Sequence, residues 1–328
     1  MSALTVPVPV RGRYAPSPTG DLHLGNLRTA LLAWLFARAS GGQFVMRVED
    51  LDRPRVRIGA TQRMLDDLHW LGLDWDEGPD CGGPYAPYTQ SERTTIYVSY
   101  LQRLQAKGLV YPCYCSRAEV AQSSSEPQQG DAEGQGARYP GTCRCLTMAQ
   151  RQQHEANGRH PSLRFRVDDT RVVRFTDLLA GPQMQQVQHA VGDFIVRRAD
   201  GIFAYQFAVV VDDALMSINQ VVRGADLLSS TARQILLYEA LDFSVPTFAH
   251  VPLVLDTQGH RLAKRQQSAG LAPLKARGST PEQVVGKLAA SCGLVDPGTA
   301  LRPNALAKLY ASSSCDIIRT KIRNQQSH

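Results

Sequence analysis

The stretch "APSPTGDLHLGN", Ala15 to Asn26, decides how the chain begins to fold. Two prolines and a glycine suffice to turn a backbone. His23, Gly25 and Asn26 are not needed for turning, yet they stand where a helix should start. Free N–H groups at a helix N-terminus favour negative charge, and a glycine lets a ligand approach the backbone. Before the stretch, "VPVPVRGRYA" reads as a short extended segment, its prolines confining it to an edge or a strand start. After it, Leu27, Leu31, Trp34 and Leu35 recur at helical spacing until Gly41 and Gly42 stop the helix. "QFVMRVED" then predicts a strand ending in acidic residues. Strand, loop, helix and strand within about 40 residues make a βαβ unit, so the fold class is α/β with a parallel sheet. Ligands of such sheets bind at the carboxyl ends of the strands, where both the opening stretch and Glu49-Asp50 fall.

Further along, Ser91 is expected to cap a helix carrying Ile96, Tyr100, Leu101 and Leu104, which Gly108 ends. Residues 122–137, rich in Gln, Ser and Gly, predict a mobile loop. "PSLRFRV" and "DFIVRRADGIFAYQFAVVVDDAL" read as strands and a helix-forming segment that return to the main sheet. "SSTARQILLYEAL" is a helix, and "VPLVLDTQGHRLAKR" a strand, a tight turn at Asp256 to Gly259 and a basic loop. Thr280, Pro281 and Gln283 form a capping box with proline at the first helical position, which opens a small helical tail.

Composition bounds the setting. The 328 residues are 43% hydrophobic and 20% charged, with mean hydropathy -0.25, as in a soluble globular protein. The N-terminus has no apolar signal core, and the longest apolar run, "IFAYQFAVVV", is too short to span a bilayer. A cytoplasmic location without membrane contact is therefore expected. A net charge of +6 and a pI near 9.0 suit an anionic partner, RNA included. Of seven cysteines, Cys113, Cys115, Cys143 and Cys145 cluster, whereas Cys81, Cys292 and Cys315 are scattered, with free, partly buried thiols as their expected state. A structural zinc wants four tetrahedral ligands, mostly thiolates. Cys113, Cys115 and Cys143 supply three, and Cys145, His154, His160 and Tyr139 are candidates for the fourth.

"RYAPSPTGDLHLGN", "RVEDLDRPR" and "VVRGADLL" together resemble the catalytic core of the glutamyl-tRNA synthetase family, class I enzymes with a Rossmann fold. "HLGN" stands where that class has its HIGH motif, and "RLAKR", Arg261 to Arg265, where it has KMSKS. Asn26 replaces the last His of the first motif, and "RLAKR" keeps one of the two lysines of the second. The resemblance implies that His23 contacts ATP phosphates, that Gly25 makes room for adenosine, and that Pro16, Gly20 and Asn26 complete the ATP site. It implies that Lys264 neutralises charge as pyrophosphate leaves, Mg²⁺ accompanying the ATP. His23 and Lys264 are thus the expected catalytic residues. The amino acid's carboxylate is the nucleophile, so positioning and charge stabilisation are what the protein supplies.

For the amino acid, recognition needs an anion for the ammonium group and cations for two carboxylates. Glu49 suits the first, Arg13 and Arg223 the second, with Tyr205 donating a hydroxyl. The matching motif positions of the family, which add Tyr14, Ala15, Pro16 and Ser17, line a pocket for L-glutamate. The Cys-x-Cys and Tyr-x-x-x-Cys pattern resembles the zinc site of the glutamyl-Q tRNA(Asp) synthetase branch, which implies one structural Zn²⁺ per chain on Cys113, Cys115, Cys143 and Tyr139.

The predicted organisation is a Rossmann catalytic domain whose first half covers 8–110, a zinc-binding insertion over 111–160, a second half over 161–265 ending in the KMSKS-like loop, and a short helical region over 266–328 with no anticodon-binding domain. The resemblance then implies tRNA-independent activation of glutamate and its transfer to queuosine in the anticodon stem-loop of tRNA(Asp). The rival expectations are charging of the 3′ end of tRNA(Glu) and a non-catalytic RNA-binding paralogue.

Overall fold

Strand β1 (Arg11–Tyr14), helix α1 (Leu24–Ala39) and strand β2 (Gln43–Met46) form the expected βαβ unit. The strands run parallel, from Arg11 opposite Gln43 to Tyr14 opposite Met46. These positions come from a computed structural model, which describes residues 9–123, 138–253, 270–311 and 315–324. Lys264, the turn at Asp256 to Gly259 and all but the first two residues of the loop 122–137 lie outside the described residues. Helix α1 buries Leu27, Leu31, Trp34 and Leu35, and also Leu32 and Phe36 on other faces. A helix apolar nearly all round must be covered on more than one side. The sheet covers one side of α1, and helices from the end of the chain cover another.

The chain continues through α2 (Ala60–Trp70), α3 (Thr94–Ala106), β3 (Val110–Cys113), α4 (Arg117–Ser123) and α5 (Met148–Ala156). Ser91 does not cap α3, which starts at Thr94. Its hydroxyl and N–H instead donate to the Asp50 carboxylate at 2.7 and 2.8 Å, a charged acceptor being the stronger partner. This ties the approach to α3 to the segment after β2.

Next come β4 (Ser162–Phe165), β5 (Val172–Asp177), β6 (Gly181–Gln186), α6 (Val187–Ala190), β7 (Phe194–Arg197) and α7 (Tyr205–Leu215). Strands β4 and β7 do not return to the parallel sheet. They form an antiparallel sheet with β3, in the order β3-β4-β7. One end of it is tied together by Asp193, which accepts from the Val167 N–H at 2.8 Å and the Tyr111 hydroxyl at 2.6 Å. Apolar alternation marks a strand but does not name its partner, so this second sheet is legible only in three dimensions.

Strand β8 (Gln220–Gly224), helix α8 (Thr231–Ala240) and strand β9 (Thr247–Val251) supply the second parallel pair. The two pairs abut where the Asn219 N–H donates to the Arg11 carbonyl at 3.1 Å and the Arg11 N–H to Asn219 Oδ1 at 2.7 Å. The β5–β6 hairpin is fixed to β9 by a bond from the Leu178 N–H to the Phe248 carbonyl, 2.8 Å.

Helices α9 (Leu271–Ala276), α10 (Pro281–Ala290), α11 (Pro303–Ala311) and α12 (Cys315–Asn324) complete the order. The capping box at Thr280 forms as expected, each partner accepting from the other's backbone N–H. Gly286 permits a close approach within α10, since a Cβ there would lie 1.7 Å from the Thr299 carbonyl oxygen. Cys81 is exposed and Cys292 buried. Among the described residues, no helix is long and apolar enough to cross a membrane.

Candidate active site

A cleft of about 1330 Å³ opens at the carboxyl ends of β1, β8 and β9. Every expected ATP and glutamate residue among the described ones lines it. The opening loop is pinned beneath it: the Glu49 N–H donates to the Pro16 carbonyl at 3.0 Å and the Arg57 N–H to that of Pro18 at 2.9 Å.

His23 is the N-cap of α1. Its Nδ1 accepts the Asn26 N–H at 3.2 Å, and the Asn26 side chain accepts the His23 N–H at 3.4 Å. A nitrogen that accepts carries no proton, so the neutral ring's proton sits on Nε2, where it is a donor. Gly25 makes this possible in a way its motif does not advertise: a Cβ there would meet the His23 ring at 3.0 Å. Asn26 is thus the reciprocal half of the cap. Leu253, which lines the cleft, and Gly270, bridged to His23, flank the segment that carries Lys264.

On the amino-acid side, Arg13, Glu49 and Arg223 are each less than a tenth exposed, so none is an ordinary surface charge. Arg13 Nε meets Asp213 at 3.3 Å, and no other side-chain hydrogen bond of Arg13 is present among the described residues. Glu49 Oε1 accepts from Arg47 Nη2 at 3.0 Å. Burial pushes the Glu49 carboxyl above its usual range, while Arg47 and Arg13 oppose the shift. An anion short of solvation gains most from a cation brought to it.

Sequence reasoning missed the frame behind this pair. Arg47 is fully buried and meets Asp213 at 2.8 Å as well as Glu49, and Arg93 meets Asp212 at 2.7 Å. Tyr97 and Gln90 each donate to Asp212 at 2.8 Å. Three arginines, Arg13, Arg47 and Arg93, therefore balance Glu49, Asp212 and Asp213. Burial works against the Asp213 carboxylate, but Arg13 and Arg47 outweigh it and hold it below its usual range. The available signal was the adjacent acidic pair closing the apolar run "FAVVVDDAL", since aspartates buried with such a run need cations.

Arg223 sits differently. Its Nε donates to His250 Nε2 at 3.0 Å, Nη1 to Gln234 Oε1 at 2.7 Å, and Nη2 to the Thr231 hydroxyl at 2.9 Å and the Leu227 carbonyl at 3.4 Å. Nothing local in the sequence linked these groups. Tyr205, at the first turn of α7, lines the same cleft. Arg55 is exposed and lines the cleft, and Arg53 and Arg57, close to it in sequence, are exposed as well.

Cys113, Cys115 and Cys143 bring their sulfurs within 4.8 Å of one another, a soft donor set compatible with zinc. The Tyr139 hydroxyl lies 3.3 Å from Cys113 Sγ and accepts the Cys143 N–H at 2.8 Å. Cys145 is exposed, and the His154 ring stacks on Tyr114. A hydrogen bond from Cys143, with Arg164 and Tyr139 adding to it, holds the Cys113 thiol below its usual range against the effect of burial. Arg164 also lines the cleft, so the cysteine cluster and the cleft share a wall.

Residues 9–291 match the family model for tRNA synthetases class I (E and Q), catalytic domain. A glutamyl-Q tRNA(Asp) synthetase of Symbiobacterium thermophilum is 55% identical over 299 residues, 91% of either chain. A glutamate–tRNA ligase of the same organism is 46% identical, but the match spans 84% of this chain and 56% of that one. Among solved structures, a glutamate tRNA ligase from Elizabethkingia meningosepticum superposes with a TM-score of 0.79 at 30% identity, over 92% of this chain and 64% of that one.

Proposed function

The chain belongs to the class I tRNA synthetases for glutamate and glutamine through their shared catalytic domain, and on that premise we propose that it activates L-glutamate with ATP, without tRNA, and passes the glutamyl group to queuosine of tRNA(Asp). One observation carries the reading: a single cleft gathers a buried carboxylate, Glu49, two buried arginines from both halves of the sheet, Arg13 and Arg223, and the capped start of α1. The relative of near-equal length named for this reaction supports the acceptor.

In this reading Glu49 holds the substrate ammonium, Arg13 the α-carboxylate and Arg223 the side-chain carboxylate, with Tyr205, Tyr14, Ala15, Pro16 and Ser17 shaping the pocket. The α-carboxylate attacks the α-phosphorus of ATP. A new P–O bond forms, the bond to pyrophosphate breaks, and glutamyl-adenylate results. His23 donates through Nε2 to phosphate oxygens, Gly25 gives adenosine access, and Pro16, Gly20 and Asn26 line the same site. Mg²⁺ supplies charge neutralisation on the phosphates. Lys264 belongs to the segment whose flanks reach the cleft, which supports its role at the departing pyrophosphate. In the second step a hydroxyl of the queuosine cyclopentene ring attacks the activated carbonyl and AMP leaves. Cys113, Cys115, Cys143 and Tyr139 would hold a structural Zn²⁺, for which the three sulfurs and the adjacent hydroxyl are the supporting observation. The tRNA enters by its anticodon stem-loop, and the reaction belongs in the cytoplasm.

The test follows labelled glutamate. Purified protein should exchange pyrophosphate into ATP with glutamate and no tRNA, with glutamine and aspartate much poorer. Transfer should label only tRNA(Asp) carrying queuosine, and should survive removal of the 3′-terminal adenosine. Labelling that vanishes on trimming means charging of the 3′ end, and overturns the acceptor.

A further inference from the structure

Arg223 is surrounded differently from the three arginines grouped around Glu49, Asp212 and Asp213. Arg13, Arg47 and Arg93 each meet a carboxylate, whereas Arg223 has none within ion-pair distance among the described residues. Its four acceptors are all neutral: an imidazole, an amide, a hydroxyl and a carbonyl. Four of its five N–H groups are thereby engaged, and one on Nη1 remains for a ligand.

The imidazole is itself held from behind. His250, on β9, places Nδ1 2.6 Å from Asp177 Oδ2, at the end of β5, and both residues are buried. An ionised carboxylate only accepts, so Nδ1 carries the proton and the Nε2 lone pair faces Arg223. The other oxygen of Asp177 accepts the N–H groups of Ala180, Leu179 and His250 at 2.7, 2.9 and 3.1 Å, which fixes the carboxylate in turn.

We infer that Asp177 and His250 are positioning residues that aim Arg223 while leaving its charge uncancelled, and so set the preference for a carboxylate over an amide side chain. A carboxylate in direct contact with Arg223 would aim the guanidinium equally well, but would satisfy the charge that the ligand must meet. The neutral ring separates the two tasks. Burial pushes the His250 ring towards its neutral form and Arg223 adds to this, although Asp177 opposes it. The inference rests on the reading of Arg223 as the contact for the glutamate side chain.

Pyrophosphate exchange by the full chain tests it, with glutamate, glutamine and ATP varied separately. Glutamine at 250 can accept from Arg223 and donate to Asp177, so His250→Gln should leave the glutamate KM within about threefold. His250→Ala removes a hydrogen bond to a charged group and should raise that KM about tenfold or more, with kcat and the ATP KM near wild type. Asp177→Asn turns an amide N–H₂ towards Nδ1, reverses the tautomer and places an N–H against Arg223. It should raise the glutamate KM similarly and erode the preference over glutamine, and ¹⁵N shifts should show the His250 proton moved to Nε2. If His250→Ala does not fold, Asp177→Asn carries the test alone. Equal changes in the glutamate and ATP constants, or a glutamine variant no better than alanine, overturn the inference. A wild-type protein that exchanges nothing with glutamate overturns the functional reading instead.

Discussion

Arg47 and Arg223 are both buried guanidinium groups, and their surroundings assign them opposite tasks. Arg47 contacts Glu49 and Asp213 and works as mortar for β2 and α7. Removing one partner of such a buried set costs about 3–5 kcal/mol, because the others stay buried and uncompensated. Arg223 meets only neutral acceptors and keeps its charge for a ligand. That arrangement has a pH signature. The folded-state pKa of His250 lies below its ordinary value of 6.5, so the unfolded chain binds its proton more readily than the folded one. Stability from this group is complete above about pH 6.5 and declines as pH falls towards the folded value. The folded ring is faced by Asp177, Arg223 and Thr231, of which only Asp177 is anionic, and its folded pKa is lowered. Thermal melting should therefore show a smaller loss between about pH 7.5 and about 5.5 for His250→Gln than for the wild type. Identical losses would place the acid sensitivity elsewhere.

At the scale of elements, the start of α1 was the most legible part of the molecule. Proline, glycine and apolar spacing are local signals, and the helix and both parallel strands follow from them, whereas the cap made by His23 and Asn26 emerged only in the structure. Partners were less legible. Ser91 met Asp50 rather than a helix end, and β4 and β7 joined β3, because pairing across long separations leaves no mark in local periodicity. The cysteine segment lies between these cases: its spacing predicted a cluster, and the fold brings three sulfurs together beside Tyr139 while leaving Cys145 outside. Metal analysis of purified protein should find about one zinc per chain, lost on Cys113→Ser. Tyr139→Phe should weaken retention against a chelator, and Cys145→Ser should not. The reverse pattern would give the fourth position to Cys145.

At the scale of the whole molecule, the cleft exists because two halves of a parallel sheet meet at Arg11 and Asn219, far apart in sequence. The ATP and glutamate residues that the resemblance named and the structure describes all line the cleft, but the residues that orient them, Arg47, Asp213, Asp177 and His250, come from segments whose proximity only the fold creates. The buried arginines and exposed ones such as Arg55 also experience ionic strength differently. Charges inside the protein are weakly screened, whereas RNA contacts made by exposed arginines release counterions and weaken steeply as salt rises. Adding potassium chloride from about 50 to about 200 mM should thus depress transfer to tRNA far more than glutamate activation. Equal loss in both would mean that the cleft's charges are open to the bulk ions. A molecule built this way lets its two half-reactions be separated with salt alone, the adenylate still forming while its acceptor drifts away.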